Sequence, residues 1–288
     1  MTARVLAWVL EQLQHNSPVV LASVVGTKGS VPGKSGARLA MNRSQNWVGT
    51  VGGAGLEHRI LNRCKELLQE TKATSEVHTF GLNKGAKGYE VQPLDSLCGG
   101  QVTISLELML PMPHILLMGG GHCSEAISKL LPKKGWNYSV QDTREAFTTI
   151  DLYPDAIERF CSTVEAFFSN ETAASLSRFS DVLLLGHDYS EDLDRLQRLL
   201  QLAEGANVSL NGKEFPRIGA IGSRSKWKSF TESCIEVGIQ PSSLDRVRCP
   251  IGLNIGAESP EEIAIAVIAE ILSMHKDANV HAPNWRNQ

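Results

Sequence analysis

The stretch from His114 to Phe147, HILLMGGGHCSEAISKLLPKKGWNYSVQDTREAF, constrains the fold more than any other part of the chain. An apolar run, Ile115 to Met118, meets three consecutive glycines, Gly119, Gly120 and Gly121. A short helical segment follows and stops at Pro132, and a second apolar run, Tyr138 to Val140, ends at Gln141-Asp142. Strand, glycine turn, helix, strand and acid, in that order, open a nucleotide-binding βαβ unit. Glycines let the chain turn sharply and bring its backbone close to a ligand. The helix start behind them, at His122, offers unpaired N–H groups and the positive end of a dipole to a phosphate. Asp142 lies 21 residues after Gly121, near the roughly 20 at which an acid meets a ribose hydroxyl. Arg144 stands just beyond, placed to pair with Asp142 or with a phosphate. A G-x-G-x-x-G reading gives Gly119, Gly121 and then Ser124, so the third glycine is missing and a small serine takes its place. The other reading of this turn is purely structural, with no nucleotide.

The 288 residues suggest about two domains. The fold class read from the pattern is α/β, a small N-terminal α+β domain followed by a C-terminal Rossmann-like doubly wound parallel sheet. The boundaries are 1–110 for the first domain, 111–275 for the second and 276–288 for a polar tail. Pro111 and Pro113, flanking Met112, suggest the linker. With 42% hydrophobic and 20% charged residues, a core is easily supplied. The net charge of −3, without basic blocks, argues against nucleic acid as a partner. Six cysteines (64, 98, 123, 161, 234, 249) form no C-x-x-C pair. That disfavours a structural zinc site and a disulfide framework, and fits a reducing, cytoplasmic setting. No apolar run approaches the ~18 residues of a membrane span. Residues 1–16 carry Glu11 and Gln12 where a signal peptide needs apolar residues. They read as an amphipathic helix with Val5, Leu6, Val9, Leu10 and Leu13 on one face.

Several further turns attract attention in the first half. A strand from Val19 to Val25 runs into Gly26-Thr27-Lys28-Gly29-Ser30-Val31-Pro32-Gly33-Lys34-Ser35-Gly36. That composition suits either a mobile anion cradle or, slightly favoured, a long hairpin connection. Gly52-Gly53-Ala54-Gly55-Leu56-Glu57 leads from a strand into a helix, expected to reach about Glu70. Such a turn again aims backbone N–H groups at a negative group. Glu57 is either a ligand contact or an acid placed to suit the helix dipole. Cys98-Gly99-Gly100 precedes an alternating strand, Gln101 to Leu108. With no apolar run around it and two glycines beside it, Cys98 reads as approachable, unlike most single cysteines.

In the second half, Ile157 to Phe160 reads as a third strand, Phe167 to Arg178 as a helix, and Asp181 to Leu185 as a fourth strand. That strand ends in Gly186-His187-Asp188, at the carboxyl edge where open α/β sheets bind ligands. His187 and Asp188 are therefore candidate contacts, although Asp188 or Ser190 equally suits a helix cap. A fifth strand, Arg217 to Ile221, runs into Gly222-Ser223-Arg224-Ser225-Lys226. Ser223 and Arg224 are candidates there, with an N-cap role open for Ser223. A last helix starts near Ser259-Pro260-Glu261-Glu262.

Taken together, GTKGSVPGKSGARLAM, GTVGGAGLE, CGGQV, ILLMGGGHCSEAI, VQDTREAF, LLLGHD, IGAIGSRSK and CPIGLNIGAESPEEIAIAVIAEIL resemble the XdhC/CoxI family, the xanthine dehydrogenase accessory proteins, from about Val19 to Leu272. The resemblance implies a molybdenum cofactor chaperone rather than a turnover enzyme. Such a protein binds the molybdopterin-type cofactor and assists its sulfuration by a cysteine desulfurase. It then delivers the cofactor to a xanthine dehydrogenase-type molybdenum hydroxylase, often as a homodimer. On that reading the cofactor meets Gly52, Gly53, Glu57, Cys98, Gly99 and Gly100 in the first domain. In the second it meets Gly119, Gly120, Gly121, His122, Asp142, Arg144, His187, Asp188, Ser223 and Arg224. Cys98 faces the metal or holds a sulfur, since thiolate is a soft ligand. The chain departs from the family pattern at several positions. Gly55 stands where many members have a cysteine, Leu97 where many have a second cysteine, and Ser124 where a glycine is usual. Gly186 and Tyr189 replace a common threonine and histidine around His187-Asp188. These departures favour simple cofactor binding over a two-cysteine sulfur relay. The alternative function is an NAD(P)-dependent oxidoreductase built on the glycine turn and Asp142, with His187 as a proton donor.

Overall fold

The computed structural model describes residues 2–70, 72–82, 91–93 and 99–280. The chain divides into two compact units, Met1–Pro111 and Met112–Gln288.

The first unit contains α1 (Thr2–Gln14), β1 (Val19–Lys28), β2 (Arg38–Asn42), β3 (Trp47–Gly49), α2 (Ala54–Leu67), β4 (Thr74–Gly81), β5 (Val91–Pro93) and β6 (Gln101–Met109). The strands form one sheet in the order β3-β2-β1-β6-β4-β5. Its pairs are antiparallel except β4 with β5. Alternation along β6 sends Val102, Ile104, Leu106 and Leu108 to one face, where Leu56, Ile60, Cys64 and Leu67 of α2 cover them. On the other face α1 packs Val5 and Val9 against Val19, Leu21 and Ala40. Leu6 and Leu10, expected on the buried stripe, are 43% and 57% exposed. Successive helical residues are ~100° apart, so a helix resting on half a sheet face buries the Val5/Val9 row and turns the next row outward. β1 also runs further than Val25. After a bulge between Val24 and Gly26, residues Gly26, Thr27 and Lys28 pair with Thr103, Val102 and Gln101. The glycine-rich connection proper is thereby shortened to residues 29–37.

The second unit contains β7 (His114–Met118), α3 (His122–Ser128), β8 (Asn137–Asp142), β9 (Arg159–Cys161), α4 (Val164–Ser169), α5 (Ala173–Leu176), β10 (Asp181–Leu184), α6 (Tyr189–Ala206), β11 (Arg217–Ala220), α7 (Arg224–Glu236), α8 (Pro241–Leu244) and α9 (Pro260–His275). Its sheet is parallel throughout, in the order β11-β10-β7-β8-β9. Every residue of β7 and β10 is buried, as expected of parallel strands covered on both faces. Leu116, Met118, Val182 and Leu184 point to the layer holding α4, α6 and α7. Ile115, Leu117 and Leu183 point to the layer of α3 and α9. Each fully buried aliphatic side chain contributes about 1.5–3 kcal/mol relative to exposure, so these two rows anchor the layers independently of any ligand. Strand order reverses between β7 and β10, which makes their carboxyl ends the switch point of the fold. The single helix expected over Phe167–Arg178 is two short ones. Thr172 and Ser175 form a capping box that starts a new helix inside the run.

Candidate functional site

The turn after β7 is tightly specified. Gly119 has φ 103°, and a side chain there would come within 2.5 Å of the Gly186 backbone nitrogen. Its N–H donates to the Gln141 carbonyl at 2.8 Å. Ser124, at the position of the absent third glycine, is wholly buried and donates its hydroxyl to the Gly119 carbonyl. The serine thus ties the helix start to the turn. Gly120 packs against the Phe147 backbone, where a side chain would overlap the Phe147 carbonyl. α3 begins at exposed His122 with no side-chain cap.

Asp142 closes this turn from β8. Its Oδ2 accepts the Gly120 N–H at 2.7 Å and Arg144 Nη2 at 2.9 Å. Its Oδ1 accepts the Arg144 N–H and Nε, both at 2.9 Å. Four donors occupy the roughly four lone-pair sites of a carboxylate. Burial pushes the Asp142 pKa up, but the Arg144 side chain, the Arg144 N–H and the Gly120 N–H outweigh it, so the net shift is downward. The Arg144 guanidinium also lies 3.8 Å from the centre of the Phe147 ring.

At the end of β10, Asp188 is the N-cap of α6. It accepts the Glu191 N–H at 3.0 Å and the Ser190 hydroxyl at 2.6 Å, and these bonds hold its pKa below the usual range. His187 is exposed beside it. At the end of β11, Ser223 caps α7 by accepting the Lys226 N–H at 3.2 Å, and Arg224 is exposed.

Sequence reasoning missed the buried charges beneath these turns. Arg195 is wholly buried. It donates from Nε to Gln141 at 3.2 Å, from Nη1 to Asp192 at 3.1 Å and from Nη2 to Glu191 at 3.2 Å. Asp192, also wholly buried, accepts the Gly186 N–H at 3.2 Å and Lys226 Nζ at 2.9 Å. One guanidinium therefore ties the end of β8 to the first turns of α6, and through Asp192 to Gly186 after β10. It also explains Gly186, where a side chain would overlap Asp192 Oδ1 and approach Arg195 Nη1 within 2.7 Å. A signal was present in the sequence. Asp192 and Arg195 fall on the same helical face as Leu196, Leu199, Leu200 and Ala203, where charges are out of place unless paired.

In the first unit, Gly53 is the N-cap of α2 and carries no side-chain cap. Glu57 Oε1 folds back to accept the Thr50 hydroxyl and, at 3.4 Å, the Gly52 N–H. The connection after β1 joins two of the expected sites. Gly33 packs on Val51 and Gly52, and Gly100 packs on Lys28, Ser30 and Val31, each too closely for any side chain at Gly33 or Gly100. The Gly52–Gly53 turn and Gly100 are thereby both brought against the connection after β1. Gly55 and Gly99 face open space. Cys98 lies outside the described residues. Among the described residues no group of three or more His, Cys, Asp or Glu side chains is arranged to hold a metal. Of the described thiols, Cys64 and Cys234 are buried and Cys161 is exposed. Cys123 and Cys249 are half-buried, and burial raises the pKa of both; Glu261 adds to it at Cys123, while Lys226 opposes it at Cys249.

Comparison with known families matches residues 115–271 to the XdhC Rossmann domain and residues 12–81 to the XdhC and CoxI family. The chain belongs to the XdhC and CoxI family. Among XdhC relatives, the uncharacterized protein YqeB of Escherichia coli strain K12 is 28% identical over 270 residues, 92% of this chain and 45% of that protein. A probable xanthine dehydrogenase subunit of Bacillus subtilis strain 168 is 28% identical over 172 residues, 58% of this chain and 44% of its own length. This XdhC chain thus spans less than half the length of either relative. The molybdenum cofactor insertion chaperone PaoD of Escherichia coli strain K12 is 21% identical over 299 residues, covering 94% of this chain and 87% of PaoD. Among the described residues of this XdhC member, no helix is long and apolar enough to cross a membrane.

Proposed function

We propose that the protein is a molybdenum cofactor binding and insertion chaperone. It holds the cofactor, assists its sulfuration by a cysteine desulfurase, and delivers it to a xanthine dehydrogenase-type molybdenum hydroxylase. It acts in the cytoplasm as a homodimer and turns over no substrate of its own. The observation that carries this reading is the alignment with PaoD, named for that role, along 94% of the chain and therefore across both units.

The chemistry of the described residues fits such a cargo. The cofactor brings a phosphate, a polar pterin and a soft metal–dithiolene end. Gly55 and Gly99 are exposed with free space beside them, which supports contacts with the polar parts. Cys98, next to Gly99, is the thiol assigned to the soft end. In the second unit, Gly121, His122, His187 and Arg224 offer backbone and side chains at the sheet's carboxyl edge, while Gly119 and Gly120, buried and with their N–H groups donated to Gln141 and Asp142, shape the turn. Asp142, Arg144, Asp188 and Ser223, like Glu57 in the first unit, shape the turns through their own hydrogen bonds. The saturation of Asp142 by four protein donors disfavours the NAD(P) reading, because a ribose would have to displace one of them.

The test is co-purification with molybdopterin and a molybdenum hydroxylase. Retained cofactor at micromolar protein supports the proposal, and its absence removes it. A Cys98→Ala chain that still binds and delivers sulfurated cofactor removes the thiol assignment alone.

A further inference from the structure

α3 and α9 pack side by side on one layer of the second unit, and a groove of about 430 Å³ runs between their outer faces. Ala126 and Leu130 of α3 line it with Pro260 and Ile265 of α9. An exposed isoleucine alone is ordinary on a protein surface. Ile265 is 55% exposed, but it continues an apolar floor drawn from two helices. The helices lie with their starts together: the Cys123 thiol, at the start of α3, is pushed up by burial and then by Glu261 of α9. The groove is therefore polar at that end, where His122 and Glu261 are both exposed, and apolar further along, at Leu130 and Ile265. Glu125 on the rim is paired with Lys129 at 2.6 Å. Glu261 enters no ion pair among the described residues.

The chain carries a segment of matching chemistry. α9 ends in a Schellman motif. Asp277 has φ 50°, the Ala278 N–H donates to the Ser273 carbonyl at 2.8 Å, and the Asp277 N–H donates to the Met274 carbonyl at 3.4 Å. Beyond Ala278 the chain therefore leaves the line of the helix. It continues Asn279-Val280-His281-Ala282-Pro283-Asn284-Trp285-Arg286, of which residues 281–288 lie outside the described residues. Ile265 and the end of α9 at His275 are about 15 Å apart at 1.5 Å per residue. The seven residues from Asn279 to Trp285 span up to about 23 Å when extended, enough to bring Trp285 back to Ile265. Followed from the end of α9 toward its start, the groove offers its apolar floor first and the Glu261 carboxylate second. Trp285 and Arg286 come in that same order. A tryptophan supplies a large apolar anchor, and an arginine beside it supplies the opposite charge to Glu261.

We propose that the tail of the same chain docks in the groove between α3 and α9, with Trp285 over Leu130 and Ile265 and Arg286 against Glu261. Docked there, it covers the flank of the glycine turn at His122. The inference does not rest on the cofactor reading above. The test places the photo-crosslinker p-benzoylphenylalanine at position 285 of the full chain and maps its adducts by peptide mass spectrometry after irradiation. An adduct within one chain, on residues 122–130 or 260–265, is expected. Ile265→Arg should lower its yield about tenfold, the effect of spoiling the seat of an aromatic anchor. Arg286→Glu should also lower it, and adding Glu261→Arg to that chain should restore it. Adducts spread over the surface, or none, overturn the proposal. So does an adduct found only in covalent dimers, which would mean that a second copy fills the groove. Unchanged yield in a folded Ile265→Arg chain overturns it as well; if that chain fails to fold, the adduct site with the groove unaltered decides. Loss in Arg286→Glu without restoration by Glu261→Arg overturns the pairing with Glu261.

Discussion

Asp142→Asn removes one charge and almost no volume, and it should unlatch the turn after β7. The carboxylate accepts from Gly120 N, Arg144 N, Arg144 Nε and Arg144 Nη2. An amide keeps one acceptor oxygen and turns its NH₂ group toward two of those donors. Breaking a buried ion pair costs about 3–5 kcal/mol. The Arg144 side chain is 36% exposed, so water recovers part of that, and the expected loss is about 2–3 kcal/mol. For a unit of this size each kcal/mol lowers Tm by about 2–4 °C, which gives a fall of roughly 4–12 °C. The pH dependence carries the sign of a depressed carboxyl. Its contribution is complete above the unfolded value of about 3.9 and disappears as pH falls through the lower folded value. The gap between the unaltered chain and the variant should therefore be full at pH 7 and close below about pH 4. Thermal melts followed by near-ultraviolet circular dichroism across that range make the measurement. A variant melting within about 2 °C of the unaltered chain at pH 7 would refute the clasp.

Gly186→Ala drives a methyl into Asp192 Oδ1 and toward Arg195 Nη1, so urea unfolding should show a loss of about 2–4 kcal/mol; an unmoved midpoint contradicts the buried network. Tyr153 is wholly buried, and its hydroxyl has no hydrogen-bond partner among the described residues. Tyr153→Phe should be neutral or stabilise by up to about 1 kcal/mol, and a clear loss in the same urea series would mean the hydroxyl is satisfied. Leu10→Ser, on the outward row of α1, should change stability by less than about 0.5 kcal/mol; a larger loss by chemical denaturation would mean that this row is covered in solution.

Much of the architecture was legible because its signals are local. Ile115 to Gly121 reads as strand and turn from consecutive residues, and Ser259 with Glu262 announces a helix start within one turn. The end of the Phe167 helix was missed because the capping box at Thr172 competes with an otherwise helical run. The candidate turns were legible as glycine clusters, but their partners were not. Asp142 looks like a ribose acceptor by spacing alone, and only its contact with Gly120, 22 residues earlier in the chain, shows what its oxygens do.

The sequence by itself determined the order of strands and helices, the positions of the glycine turns and the family. The elements and turns follow from periodicity, capping and backbone freedom over a few residues, and the family from the resemblance of its motifs taken in order. Tertiary structure alone decided which turns share a brace. Arg195 meets Gln141 across 54 positions and Lys226 meets Asp192 across 34. A charge enters a parallel-sheet core when partners from distant segments arrive together. No local pattern specifies that meeting.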